Sequence, residues 1–180
     1  VSNVARLNPD GSLDGTFVPE VWGYFFGLSR IMVQGDGKVL LEGRLTWNGG
    51  PNFAGVLRLN QDGSRDTNYS GSTPEFGELG GGIGAVVLNG DGSMLLAAGN
   101  DFSSPPRPFL VKLYSNGSRD VTFGNGPAGP DNEIHTLAIQ SDGRVLIGGD
   151  FRTVNLESRG GIARLNRDGS LDSSFLSALP

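Results

Sequence analysis

The chain has no cysteine, a single histidine, His135, and only two methionines in 180 residues. Without thiols there is neither a disulfide framework nor thiolate chemistry. One histidine cannot build a His-rich metal cluster, and with no acidic or nucleophilic residue beside it in sequence, a Ser/His/Asp triad is not expected either; a structural place at the start of a strand is. Positive charge is also short. Fourteen Lys and Arg stand against nineteen Asp and Glu, for a net charge of −5, so the basic footprint that nucleic acid or an anionic membrane surface requires is missing. No apolar run approaches the length of a bilayer span, which argues against membrane insertion. No window of eleven residues shows apolar spacing of three and four free of glycine, so no helix is predicted. The chain starts at Val1 rather than at a methionine or a signal peptide, which reads as a piece cut from a longer polypeptide.

What is present is turns and apolar strands. Thirty glycines and a 37% hydrophobic share fit an all-β protein. Ala5-Arg6-Leu7-Asn8-Pro9-Asp10-Gly11-Ser12-Leu13-Asp14 returns as Leu57 to Asp66, Val111 to Asp120 and Ala163 to Asp172, the marker leucines stepping by 52, 54 and 52 residues. Self-similarity at that period means a repeat array. A second word keeps the same beat, with Asp-Gly at 36–37, 91–92 and 142–143 between apolar runs. Two Asp-Gly or Asn-Gly turns per repeat predict two hairpins, hence four short strands in each unit of roughly fifty residues. That is one blade of a β-propeller.

These words resemble the delta-60 repeat family, whose units run as an apolar strand, Gln-x-Asp-Gly-Lys, Leu-x-Gly-Gly-x-Phe and Ala-Arg-Leu-Asn-x-Asp-Gly-Ser-Leu-Asp. Ile134 to Phe151, with Gly148-Gly149-Asp150-Phe151, and Gly161 to Phe175 follow the pattern nearly word for word. The first unit departs from it at Trp22-Gly23-Tyr24-Phe25-Phe26 and at Glu42-Gly43-Arg44-Leu45. The resemblance implies propeller blades of large secreted or surface proteins of bacteria, and brings no catalytic residues with it.

Residues 1–18 read as the C-terminal half of a blade, 19–70, 71–123 and 124–180 as successive blades. Val4 to Asn8 pairs with Ser12 to Phe17. The first full blade takes the second half of Glu20 to Gln34, then Val39 to Leu45, Ala54 to Asn60 and Ser64 to Tyr69. The second takes Ile83 to Asn89, Met94 to Gly99, Phe109 to Tyr114 and Ser118 to Thr122, and the third runs from Ile134 to about Phe175. The expected fold is therefore an all-β partial propeller of about three and a half four-stranded blades. Propellers close with about four to eight blades, so the remaining blades of a longer chain, or other copies of this one, are the expected partners.

Four constellations are weighed as candidate sites. Asn8, Asp10 and Asp14, with Asn60, Asp62, Asp66 and Asn166, Asp168, Asp172, space oxygens around a glycine turn as a calcium loop does. The third copy puts Tyr114 and Asn116 at the first two positions, and Asx-turns explain every copy, so the carboxylates are read as backbone partners. Trp22, Tyr24 and Trp47 could stack on a sugar ring, Trp47 with Asn48 in a predicted loop over 46–52, although large rings at the entry to a strand ordinarily pack against the next blade. Glu75 and Glu78 lie in a Gly-rich stretch and read as solvated, and Gly80-Gly81-Gly82-Ile83-Gly84 precedes a strand rather than the helix a phosphate loop needs.

The expected function is a non-catalytic, cofactor-free propeller segment of a secreted or cell-surface bacterial protein, serving adhesion, protein binding or scaffolding. Its partner outside the ring is expected to be a surface protein or a glycan. The alternatives are a lectin-like, carbohydrate-binding propeller, and a part of a hydrolase or lyase whose active site lies in missing blades.

Overall fold

A computed structural model describes residues 4–22, 28–47, 53–70, 83–98, 109–124 and 129–175. The chain divides into two units, Val1–Glu78 and Leu79–Pro180. Among the described residues every regular element is a strand.

In the first unit, β1 (Val21–Trp22), β2 (Leu28–Val33), β3 (Val39–Trp47) and β4 (Phe53–Leu59) form one antiparallel sheet. β2 pairs with β3 from Leu28↔Gly43 to Val33↔Val39, and β1 takes the far end of β3 through Val21↔Trp47 and Trp22↔Thr46. β4 covers the other edge of β3 from Val39↔Leu59 to Leu45↔Phe53. Leu40 and Leu41 are both fully buried. Adjacent residues on a strand point to opposite faces, so both faces of β3 are covered there. One of those faces packs Val39, Leu41, Leu57 and Leu59 with Val4 and Phe17 of the preceding hairpin.

The second unit holds two three-stranded sheets. β5 (Ile83–Leu88), β6 (Met94–Ala98) and β7 (Phe109–Leu113) lie in that order; β8 (Ile134–Ile139) and β9 (Val145–Gly149) are joined by β12 (Ile162–Leu165) on the far side of β9. A small hairpin, β10 (Thr153–Val154) and β11 (Glu157–Ser158), sits between β9 and β12. One core joins the two sheets, with Ala85, Leu95 and Ala97 from one and Ile134, Val145, Ile147, Ala163 and Leu165 from the other. Sheet on sheet is how a strand lacking helices buries its apolar residues. β9 buries Val145 and Ile147, while Leu146 between them is only half-buried.

The turns differ from the two-residue hairpin that Asp-Gly predicts. In each of the seven repeated turns the glycine, or its equivalent Gly11, Gly37, Gly63, Gly92, Gly117, Gly143 or Gly169, has φ between 77° and 89°, and the preceding Asp or Asn does not have positive φ. Asn8 N–H donates to Ser12 O at 2.8 Å and Gly11 N–H to Asn8 O at 2.9 Å, a pattern repeated at 60–64, 114–118 and 166–170. This is a three-residue loop, a type I turn ending in a left-handed glycine. The reason lies in the Asp side chain: its Oδ1 accepts the N–H two residues on, as Asp10 does from Ser12 at 2.9 Å, and holds the Asp itself in an Asx-turn.

A second correction concerns the fourth strand of each blade. Ser12 to Phe17, Ser64 to Tyr69 and Ser118 to Thr122 contribute single bridges only, Leu7↔Leu13, Leu59↔Arg65 and Leu113↔Arg119, as does Leu165↔Leu171. The next residue, Asp14, Asp66, Asp120 or Asp172, still donates its N–H to the third strand and then turns the chain, its carbonyl accepting from Phe17, Tyr69, Phe123 or Phe175. The described sheets are thus three-stranded with a one-bridge fringe, apart from the added β1. The loop predicted over 46–52 also begins late, since Thr46 and Trp47 belong to β3.

After the turns at Asp14 and Asp120 the chain runs to the glycine turn of the following repeat. Val18 N–H donates to Asp62 O at 2.8 Å and Glu20 N–H to Gly63 O at 3.3 Å; Gly124 N–H donates to Asp168 O at 2.9 Å. A Cβ on Gly63 would lie 2.7 Å from the Val18 carbonyl carbon, whereas one on Gly11 meets nothing within 4 Å. Both glycines have positive φ, 89° and 84°. Gly11→Ala should therefore carry only the left-handed strain of about 1 kcal/mol, and Gly63→Ala that strain plus a backbone clash, for a total of about 3 kcal/mol or more. Urea denaturation of the two variants checks this, and equal losses would remove the close approach from the account.

Candidate functional site

The best-built polar arrangement recurs once per repeat. The cation of the third strand reaches the Asp eight residues on: Arg6 Nε to Asp14 at 2.7 Å, Arg58 Nε to Asp66 at 2.9 Å, Lys112 Nζ to Asp120 at 3.2 Å, Arg164 Nε to Asp172 at 2.8 Å. Each cation also lies over the aromatic ring three residues past the Asp, at 4.8 Å for Phe17, 4.5 Å for Tyr69, 5.6 Å for Phe123 and 4.8 Å for Phe175. Cation over ring is favourable by about 0.5–2 kcal/mol, increasing with desolvation. The Asp closes the group from below, its other oxygen accepting the N–H and hydroxyl of Thr16, Thr122 or Ser174.

Those bonds decide what the calcium-spaced carboxylates do. Asp10, Asp62 and Asp168 each take the N–H and the hydroxyl of the Ser two residues on, at 2.9 and 2.6 Å for Asp10. Asn116 makes the same two bonds to Ser118 without a charge. Asn8, Asn60 and Asn166 donate to the same Ser hydroxyl at 3.0 Å. Asp14, Asp66 and Asp172 face the strand cation instead, so the three positions of each copy serve two separate turns. Among the described residues no three His, Asp or Glu side chains converge as a metal site would require.

Trp22 and Trp47 lie on adjacent strands, Trp22 opposite Thr46 and Trp47 opposite Val21; Tyr24, Asn48, Glu75, Glu78 and Gly80–Gly82 lie outside the described residues. Folding gives His135 an acidic partner distant in sequence, because β8 pairs with β9 and brings Asp150 Oδ2 to 2.9 Å from Nε2. Both side chains are exposed, and such a surface pair contributes little stability. Glu42 is different. It is buried in β3 opposite Arg30 of β2, whose Nη1 donates to it at 2.9 Å, and burial raises its pKa above the ordinary carboxylate value. At the equivalent place β9 has Gly148.

The cation–Asp–ring group was not read from sequence, although the cation and the Asp lie inside the repeated word and the ring three residues past its end. Its signal was present: a Lys or Arg eight residues before the last Asp and an aromatic three residues after it, in all four copies.

Asp14, Asp120 and Asp172 are held down to about 2 from an ordinary 3.8, first by the hydroxyls of Thr16, Thr122 and Ser174 and further by the strand cations. A carboxylate with a depressed folded pKa stabilises the fold above its unfolded value and loses that contribution as pH falls through the folded one. Stability should thus decline between pH 3.8 and about 2, and Asp172→Asn should make that part of an acid titration shallower. Glu42 acts the other way and at higher pH, since its raised carboxyl takes up a proton above the ordinary 4.5 and that relieves its burial cost. The turn carboxylates being committed to serines, melting temperature should not move with millimolar calcium or with chelator; a rise with calcium that chelator reverses would make them metal ligands.

Comparison with curated proteins finds no match. The family model described as a domain of unknown function (DUF5122) beta-propeller matches residues 1–17, 34–69, 88–123 and 140–175. Each match ends on the aromatic of the cation–Asp–ring group, Phe17, Tyr69, Phe123 or Phe175. With matches in phase with the repeat over well more than half of its length, the chain belongs to the DUF5122 β-propeller family.

Proposed function

We propose that this chain is a non-catalytic propeller segment of delta-60 type, about three and a half blades long, that acts as a scaffold or protein-binding module of a secreted or cell-surface bacterial protein. The observation that carries this reading is an open end. Leu7 is 62% exposed, while its equivalents Leu59, Leu113 and Leu165 are at 0, 0 and 2%. Leu13, across the bridge from Leu7, and Val18 are exposed as well. Beside them Gly11 has open space where Gly63 and Gly169 receive the backbone of a preceding unit. A repeat unit buries its apolar face only against neighbours, so this edge is suited to another unit of the same kind, from a longer chain or from another copy. The side chains specialised in each repeat hold turns and joints together, which favours a scaffold over an enzyme.

The isolated chain should associate in light scattering, and Leu7→Glu combined with Leu13→Glu should shift it toward monomer without lowering the melting temperature, because neither residue is buried. A monodisperse, cooperatively melting wild-type monomer would overturn the open-end reading.

A further inference from the structure

The joint between the sheets β5–β6–β7 and β8–β9–β12 holds a cavity of about 260 Å³. Its lining combines apolar Met94, Phe123, Ile139 and Val145 with polar Asn89 and Ser93, and two cations, Lys112 and Arg167, stand among its lining residues with no carboxylate. The equivalent joint in the first unit is strutted. There Arg6, at the position of Lys112, pairs with Asp14, lies over Phe17 and still donates through Nη1 to the carbonyl of Gln61 at 2.6 Å. Gln61 occupies the position of Arg167.

The difference follows from the two cations. A guanidinium carries five donors in a planar fork and can serve a carboxylate and a carbonyl together, whereas an ammonium is one compact charge on a flexible stem. Lys112 directs that charge to Asp120 and the Phe123 ring. Lys112 does not make the reach to the following turn that Arg6 makes to the Gln61 carbonyl. Arg167 rims it, its Nε donating to the Asp142 carbonyl across the Gly143 turn. The buried floor is Met94, Phe123 and Val145.

We infer that this joint is a binding site for a small carboxylate with a short apolar body, the hydrocarbon on Met94, Phe123 and Val145 and the carboxylate at Arg167 and Lys112. The volume is somewhat below the roughly 300–1,000 Å³ of sites for drug-sized molecules, which limits the occupant to a small one. Arg167 at the rim selects against amines of the same shape, and the apolar floor selects against anions without a hydrocarbon part. The site stands apart from the scaffold reading and does not depend on it.

The test uses the full chain with methyl-labelled methionine, since Met94 lines the cavity and Met32 in the first unit serves as an internal reference. Hexanoate should shift the Met94 methyl resonance saturably and leave Met32 in place; acetate and hexylamine should not. Arg167→Gln should weaken hexanoate about tenfold, the usual loss of a charge-assisted hydrogen bond. Lys112→Arg is the sharper variant, because it rebuilds the strut: binding should vanish while the melting temperature holds or rises. No saturable shift with hexanoate, equal shifts with hexylamine, or undiminished binding by a folded Lys112→Arg protein would each overturn the inference.

Discussion

The whole array depends on one carboxylate per repeat having two clients. Asp14, Asp66, Asp120 and Asp172 each give one oxygen to the backbone of the turn that follows, and all but Asp66 to its hydroxyl as well, and the other oxygen to the cation of the third strand. Charged acceptors form hydrogen bonds roughly twice as strong as neutral ones, and here one charge fixes both the end of a sheet and the direction of the exit. That exit puts the aromatic under the same cation, so strand, turn and ring are set by a single group. Asp66 shows how far this goes: it is buried, and Lys38 from the turn between β2 and β3 joins Arg58 on it. Removing one partner there would strand the others in a poorly solvated place.

The period, the strands and the glycine turns were legible because each is written within a few consecutive residues. β2, β3, β4, β6, β8 and β9 lie where the apolar runs between Asp-Gly words put them. What escaped was decided by pairs distant in sequence or by side chains acting on their own backbone. The fourth strand is cut short by Asp side chains that cap a turn, which an alternating pattern such as Ser12 to Phe17 does not reveal. The hairpin of β10 and β11 turns on Asn155 and Leu156, both at positive φ, and leucine gives no turn signal; what holds it is Asn155, whose side chain accepts from Gly129 and whose N–H donates to Gly129 O. Trp47 ended in a strand because β1 lengthens the ladder of β3.

Repeats of equal backbone are individually marked by substitution at a few equivalent places. Where β9 has Gly148 opposite Thr136, β3 has Glu42 opposite Arg30. A Cβ on Gly148 would lie 2.8 Å from the Thr136 methyl, so a larger residue at that place requires its cross-strand partner to change too, and an ion pair is the solution found in β3. The exchange of Arg for Lys at 112 is of the same kind. It keeps the contact with Asp and ring and gives up the reach to the next unit.

The joint of Val18 with Asp62 and Gly63, and of Gly124 with Asp168, is made from main-chain groups and a missing side chain. In its main-chain part such a seam needs only an N–H on the donating side and a glycine on the receiving side, while the apolar contact beside it comes from side chains that every copy of the word carries. A gene duplication that copies one repeat in phase therefore delivers a ready-made neighbour, with no interface to invent. Array length is in that sense cheap to change, while the surface residues of each copy remain free to diverge, and four copies of one word with visibly different loops are the outcome such a seam permits.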